Sequence, residues 1–494
     1  MKSTRLSRTL ATSLATTLAP ASLVASLALL AGCSSAPNYK KPEVVMPAAW
    51  QSTAPFVQGT PADHIPKGQW WVIFQDPQLN QLEQQAITQN QTLQVAVARL
   101  EQVRAQVSVS AAGLFPQVGL QAGAARQKTS ADRPLASYNT ANQSTVQNNF
   151  QLGFAVNYEA DLFGRVRNTV ASARASSEQA AADFENIRLV LTSELAADYF
   201  NLRALDSEID VLSQGVKLQE KALNFIDARH ELGVASGLDL AQQQALLDAS
   251  KTQLSLLQNR RAQYEHALAT MTGTPAPNFK LAPAMITILP PAMPVGLPSD
   301  VLQRRPDIAA SERAVAAANA NIGVARSAYF PTLLLQTNGG WDANQISNLF
   351  NAPSLLWSLG TALTQTLFDA GKTNATVKVS EAFYTASVAS YRQSVLVAMQ
   401  EVEDGMTGLS ILNDAGKQAN ASVRSSQRVL DLANDRYTGG LDTYLNVITA
   451  QQTLLNNQRQ AVQINGQQML TSVYLIKALG GGWDGARDAE SNRP

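Results

Sequence analysis

The chain has 494 residues, with 38 basic and 38 acidic side chains, three histidines and one cysteine. Zero net charge argues against a basic nucleic-acid surface and an acidic tail, and a single Cys excludes an intrachain disulfide framework or a Cys-rich metal site. Charged residues make up 15% of the chain and hydrophobic ones 45%, mostly Ala, Leu and Val, a mixture that favours helices.

Lys2, Arg5 and Arg8 open a basic start, followed by an Ala/Leu/Thr stretch that ends in Leu30-Ala31-Gly32-Cys33. Residues 1–32 have the form of a secretory signal peptide. The last four residues of the run resemble the bacterial lipobox, in which cleavage leaves Cys33 as an N-terminus carrying acyl chains such as palmitate. Each buried methylene contributes about 0.8 kcal/mol, so several chains anchor firmly. Ser34 stands where an Asp would favour retention at the inner membrane, and an outer-membrane lipoprotein is expected. Residues 33–77 read as a tail after the lipidated Cys. Beyond Cys33 no run of about 18 apolar residues appears, so no transmembrane helix is expected.

The rest is a tandem repeat. Val107 to Pro116 matches Ile322 to Pro331, and Leu162-Phe163 matches Leu367-Phe368. From there an offset of 207 pairs Glu194 with Glu401, Arg229 with Arg436, Gly233 with Gly440 and Leu238 with Leu445. The halves are residues 78–274 and 299–482, joined by a Pro-rich linker at 275–298 and followed by a C-terminal tail at 483–494. Repeats of this kind are sought before any local reading.

Within the first half, Gln78 to Gly113 is helical in composition. Val118, Leu120, Ala122 and Ala124 then alternate with polar or small residues, as do Phe150, Leu152, Phe154, Val156 and Tyr158. The second half repeats this at Thr332–Asn338 and at Leu355, Trp357, Leu359, Thr361 and Leu363. Period-two alternation with almost no charge is how a lipid-facing barrel strand reads. After each hairpin the period becomes 3.5. Leu202, Leu205, Ile209, Leu212, Val216, Leu223 and Ile226 mark one frame, with Gln219 in a gap; Tyr391, Val395, Ala398, Val402, Leu409, Leu412, Val423, Leu430 and Tyr437 mark the other. That is coiled-coil packing. Arg165–Glu231 and Lys372–Thr438 contain no Pro, and each is expected to be one helix of roughly 100 Å. Each ends in a Gly turn, and shorter helices return over about Leu238–Met271 and Tyr444–Leu479.

The fold class expected is mainly α with a β-barrel: a long coiled-coil helical tunnel plus four transmembrane strands per chain. Four strands cannot close a membrane barrel, and an open edge in lipid leaves backbone groups unsatisfied. The barrel must be shared: two chains give eight strands and a filled interior, three give twelve and a pore. The competing reading is an anchored coiled-coil structural lipoprotein with hairpins as surface decoration.

These features together resemble the TolC-like outer-membrane factors, nearest the lipoprotein branch serving resistance-nodulation-division efflux pumps (the NodT branch). The most specific element is Gly296 to Pro331, with Leu297-Pro298-Ser299-Asp300 and Arg304-Arg305-Pro306-Asp307-Ile308. Pro306 suits the first position of a helix and Asp307 its positive first turn. Pro37-Asn38-Tyr39, Pro42, Trp50 and the run Tyr474 to Trp483 also match. The resemblance implies a homotrimer with a shared 12-stranded barrel. It further implies passive export of drugs or other small toxic compounds, handed on by an inner-membrane pump and a periplasmic adaptor. A periplasmic gate opens by untwisting of helices. Matching gate positions are Tyr437, Asp442, Leu445, Thr449 and Gln452, with Leu445 at a hydrophobic constriction. Thr449 and Gln452 stand where relatives often carry an acidic residue and an arginine, so a charged lock there is in question. Asp442 either supplies a ring of three carboxylates or caps the returning helix. Arg229 and Arg436, with Gly233 and Gly440, either contact the adaptor or hold the helix ends. The same duct serving metal-ion or protein secretion remains an alternative.

Catalytic and metal chemistry is not expected, nor any cofactor beyond the lipid on Cys33. His64 is in the tail, His230 falls in the heptad frame as a packing residue, and His266 has no ligand partner on its face. Gly371-Lys372-Thr373 lacks the glycine of a phosphate loop, and no G-x-S-x-G elbow is present.

Overall fold

The computed structural model describes residues 35–47, 49–51, 68–132, 144–286, 288, 290–291 and 305–481. The expected signal peptide, Cys33, Ser34, His64, the Leu297-to-Arg304 run, Trp483 and the C-terminal tail lie outside the described residues. In chain order the elements are α1 (Pro77–Gln89), α2 (Gln91–Ala112), β1 (Gln117–Thr129), β2 (Thr145–Ala160), α3 (Arg165–Glu231) and α4 (Gly237–Met271). The second half follows with α5 (Pro306–Ser327), β3 (Thr332–Ala343), β4 (Leu355–Thr364), α6 (Lys372–Thr438) and α7 (Tyr444–Ala478). Both long helices have 67 residues and both return helices 35.

The stretch from Gln78 to Gly113, helical in composition, forms two helices. Asn90 adopts extended ψ and its side-chain oxygen accepts from the Leu93 amide at 3.0 Å, while its amide donates to the Met271 carbonyl at 2.9 Å. A polar side chain that satisfies free amides offers the backbone an alternative to continuing the helix. The start of α1 is fixed likewise. Asp76 accepts from the amides of Gln78 and Leu79, with Pro77 at the first helical position, and also from the Tyr199 hydroxyl at 2.6 Å.

The chain divides into two compact units. One comprises residues 1–42, 101–178 and 312–389 and holds the sheet. Its strands run in the order β1-β2-β3-β4, all antiparallel. The two hairpins of the repeat are thus joined by a β2–β3 ladder that links the halves. At Gly340 a Cβ would fall onto the Leu152 carbonyl, so this ladder needs glycine there. The tail from Ser35 lies along α5: the Ser35 hydroxyl donates to the carbonyls of Phe163 and Gly323 at 3.0 and 2.8 Å, Asn319 donates to Pro37, and Tyr39 donates to Glu312.

The second unit comprises residues 43–100, 179–311 and 390–494. Its core uses the expected heptad positions. Leu202, Leu205, Leu212, Val216, Ile226, Tyr391, Val395, Ala398 and Val402 are all buried, while Leu409, Leu412, Val423 and Leu430 are half-buried. Gln219 is buried in the same frame, and its backbone carbonyl accepts from Gln243 at 3.0 Å. The start of the expected linker is strapped down rather than loose. Asp206, buried between Arg203 and Arg261, accepts from the Ala284 amide at 3.0 Å, and the two arginines donate to the carbonyls of Ala282 and Leu281.

Candidate functional site

Directly opposed residues of antiparallel strands share a face, so the register sorts every side chain of the sheet. One face carries Val118, Val156, Thr337 and Leu359, then Leu120, Phe154, Gly339 and Trp357, then Ala122, Leu152, Trp341 and Leu355. The other carries Gln117, Asn157, Gln336 and Gly360, then Gly119, Ala155, Asn338 and Ser358, with Gln121, Gln151 and Asp342 further along. The apolar face is uncovered: Trp357 and Leu359 are each 77% exposed. On β2 this face runs unbroken from Phe150 to Ala160. Ten steps at about 3.4 Å, tilted about 40°, span a height of about 26 Å, the thickness of a barrel's lipid-facing band. The inner residues Gln117, Asn157, Gln336 and Asn338 were not singled out from the sequence, although the same parity marks them.

The helical turns build the second part of the site, within the other unit. Gly233 and Gly440 have φ of 75° and 70°, a backbone conformation only glycine adopts freely. The Val234 amide donates to the Arg229 carbonyl at 2.8 Å, and Leu441 to Arg436 at 2.9 Å. Together with Gly233 to His230 and Gly440 to Tyr437 these close the helix ends in the same way in both repeats. The side chains then diverge. Arg436 Nε donates to Asp442 Oδ2 at 3.1 Å. The other Asp442 oxygen accepts from the Thr443 amide at 2.8 Å and from Asn446 at 2.6 Å. The Thr443 amide, then the Arg436 guanidinium and Asn446, hold the Asp442 carboxyl below the usual range.

In the first repeat Ala235 stands at the position of Asp442, and Arg229 goes elsewhere. Its guanidinium lies 5.7 Å from the Phe225 ring centroid and 5.2 Å from that of Tyr437. Tyr437 in turn lies 5.0 Å from Tyr444, whose hydroxyl donates to Gln243 at 2.9 Å. Beneath them Ile226, Tyr444, Val447 and Ile448 form a buried cluster.

The sequence-based site residues therefore separate into two sets. Leu445, Thr449 and Gln452 are exposed and share one face of α7 at spacings of four and three, with Asp442 one turn before them. Tyr437 instead packs on the cluster. Two expectations change. Asp442 is not the helix cap: Thr443 occupies that position and makes no capping side-chain bond, whereas the first repeat has a full capping box from Ser236 and Asp239. His230 is exposed rather than packed, its Nδ1 2.9 Å from the Ala235 carbonyl. Its repeat partner Tyr437 takes the packing role. Among the described residues no helix is long and apolar enough to cross a membrane, and no group of His, Cys, Asp or Glu is arranged to hold a metal.

The sequence profile of outer membrane efflux proteins matches residues 82–274 and 297–481. The chain belongs to this family. The family member described here is 33% identical over 467 residues to a Pseudomonas putida protein named as the probable efflux pump outer membrane protein TtgC, covering 94% of this chain and 95% of that one. It is 31% identical over 467 residues to the Pseudomonas aeruginosa pyoverdine export outer membrane protein OpmQ, covering 94% and 97%. Its structure superposes on the outer-membrane channel OprN with a TM-score of 0.85 at 28% identity, covering 91% of this chain and all of that one. The open state of the Neisseria gonorrhoeae MtrE outer membrane channel gives 0.79 at 26% identity, covering 92% and 99%. This efflux protein is an outer-membrane channel with four barrel strands and a helical tunnel region.

Proposed function

We propose that three copies of the chain close one 12-stranded barrel and form the passive exit duct of a tripartite efflux system. The observation that carries this is the sheet itself. One face is apolar and exposed, the other is polar, and β1 and β4 each leave an edge without a partner among the described residues. In lipid such edges must pair with another copy. The relatives named for toluene, solvent, antibiotic and pyoverdine export support drugs or small toxic organic compounds as cargo. An inner-membrane pump supplies the energy and a periplasmic adaptor makes the junction. The chain itself needs no catalytic step, metal or cofactor.

The gate is the exposed stripe of Leu445, Thr449 and Gln452 with the half-buried Asp442 before it, and Leu445 is the apolar constriction. Opening separates the stripes of neighbouring copies by untwisting the helix pairs at Gly233 and Gly440. Arg229, Tyr437 and Arg436 hold the two turns in shape, and the exposed Arg436 is the adaptor-facing candidate of the pair. The lipid anchor is Cys33. In support, Ser35, two residues on, is bonded to Phe163 and Gly323 next to the ends of β2 and α5, which sets the tail beside the helix end of the sheet.

The test is conductance in planar bilayers of the purified full-length protein beside its Leu445→Ser variant. A small conductance that rises severalfold in the variant is expected. Silence from both, in folded oligomers, would favour the anchored structural lipoprotein.

A further inference from the structure

The four strands contain four charged residues, Arg126, Lys128, Glu159 and Asp342. The register sorts them by sign. Glu159 and Asp342 share the polar face with Asn157, Gln336 and Gln151, and Glu159 is neutralised by Arg165, whose Nε donates to it at 2.7 Å. Arg126 and Lys128 share the apolar face, where Val118, Leu120, Ala122 and Ala124 precede them on β1. They lie opposite Asn148 and Val146, above the row of Ala124, Phe150 and Ala343 that ends the apolar band. Both are exposed, and among the described residues neither has an acidic partner. Asp132, the acidic residue next along the chain, sits in the loop beyond the strand.

From this placement we infer that Arg126 and Lys128 form a docking site on the outside of the barrel for a phosphate-bearing lipid headgroup of the leaflet at the loop end of the sheet. The inference rests on the barrel reading above. Two cations about 6.8 Å apart along the strand sit one and two rows beyond the end of the apolar band, where a charge on the lipid face costs little. Acyl chains of the same lipid lie along Leu120 and Phe154 below them. Trp341 stands on the same face one row nearer the loop end than Leu120 and Phe154, and packs edge-on to Phe350 at 5.5 Å, an aromatic pair of the kind that marks an interface. The opposite end of this face, at Ala160, Leu333 and Leu363, carries no charge. The site is therefore specific to the loop-side leaflet. A bare cation pair on a water-exposed sheet would have no such neighbours. Sorted by face and by height, it meets an anionic headgroup and a chain together.

Each cation near an anionic surface is worth roughly a fivefold gain in partition, so the pair gives about thirtyfold. The experiment equilibrates full-length protein with phosphatidylcholine vesicles containing bis-phosphorylated lipid A, then measures the lipid retained on the purified oligomer. Enrichment of about thirtyfold over phosphatidylcholine is expected, weakening as salt screens the charges. It should be lost in Arg126→Gln/Lys128→Gln and kept in the charge-preserving Arg126→Lys/Lys128→Arg. Dephosphorylated lipid A should not be enriched, and free inorganic phosphate should not displace the bound lipid. Equal enrichment by the Gln variant or of dephosphorylated lipid A overturns the inference, as does ready displacement by free phosphate, which would make this an ion site. Bilayer conductance of Leu445→Ser in pure phosphatidylcholine is recorded alongside. A conducting protein without lipid enrichment refutes this inference alone; a folded oligomer that does not insert refutes the barrel and the docking site with it.

Discussion

Arg229 of the first repeat stacks its guanidinium 5.2 Å from the ring of Tyr437 in the second, whereas its counterpart Arg436 turns to Asp442 within its own repeat. One arginine ties the repeats together and the other stiffens a single turn. The Nε of Arg229 is buried without a hydrogen-bond partner among the described residues, so the rings of Tyr437 and Phe225 are what this side chain gains by being there. A cation–π pair that is partly desolvated contributes about 0.5–2 kcal/mol. Arg229→Ala and Tyr437→Ala should each lower the melting temperature, and the double variant should lose less than the sum of the two. Additive losses in that cycle would show that the two side chains do not act as a pair.

Asp442 stays ionised below the usual carboxylate range because backbone and Asn446 donors and the Arg436 guanidinium favour its charged form. Asp442→Asn should reduce the cation preference of the channel at neutral pH, read as a shift in reversal potential under a salt gradient. Arg436→Ala removes one of the stabilising partners, so the pH at which cation preference titrates away should move upward. A midpoint that stays put in Arg436→Ala would mean that the ion pair has no hold on this carboxylate.

Glu83 on α1 is fully buried, and neither carboxyl oxygen has a hydrogen-bond partner among the described residues. Burial pushes its pKa well above the usual range. With the folded pKa raised, the cost of keeping this acid buried is absent below the unfolded value of about 4.3 and grows as pH rises above it. Glu83→Leu should therefore stabilise the protein by about 1–3 kcal/mol near neutral pH and by less near pH 4. Melting curves at both pH values decide the matter, since an equal gain at each would assign the effect to packing alone.

Cys33→Ser should abolish incorporation of labelled fatty acid while trimers persist on mild gels, because the barrel itself holds the lipid. Loss of the trimer in that variant would give the acyl chains an assembly role that the barrel argument does not provide.

The two 67-residue helices begin and end where the Pro-free, heptad-patterned segments do, at Arg165 and Glu231 and at Lys372 and Thr438. Helices and strands of this kind are written in local periodicity, as are the repeat and the Gly turns, and a single sequence displays all of these. The conduit was legible for that reason, because an alternation with almost no charge followed by a 3.5-residue repeat leaves few folds that bury both, while the family showed in the resemblance of particular runs such as Gly296 to Pro331. Tertiary structure alone decided what depends on residues far apart in the chain. The β2–β3 ladder joins the two repeats, and the network around Asp206 ties down residues 281–286. Glu83 is buried without a partner, and Arg229 finds Tyr437 across some 200 residues. Arg229 and Arg436 hold the same place in the same turn, and nothing in their helices predicts that they part. The difference comes from Ala235 and Asp442, and from which ring the folded chain brings within reach.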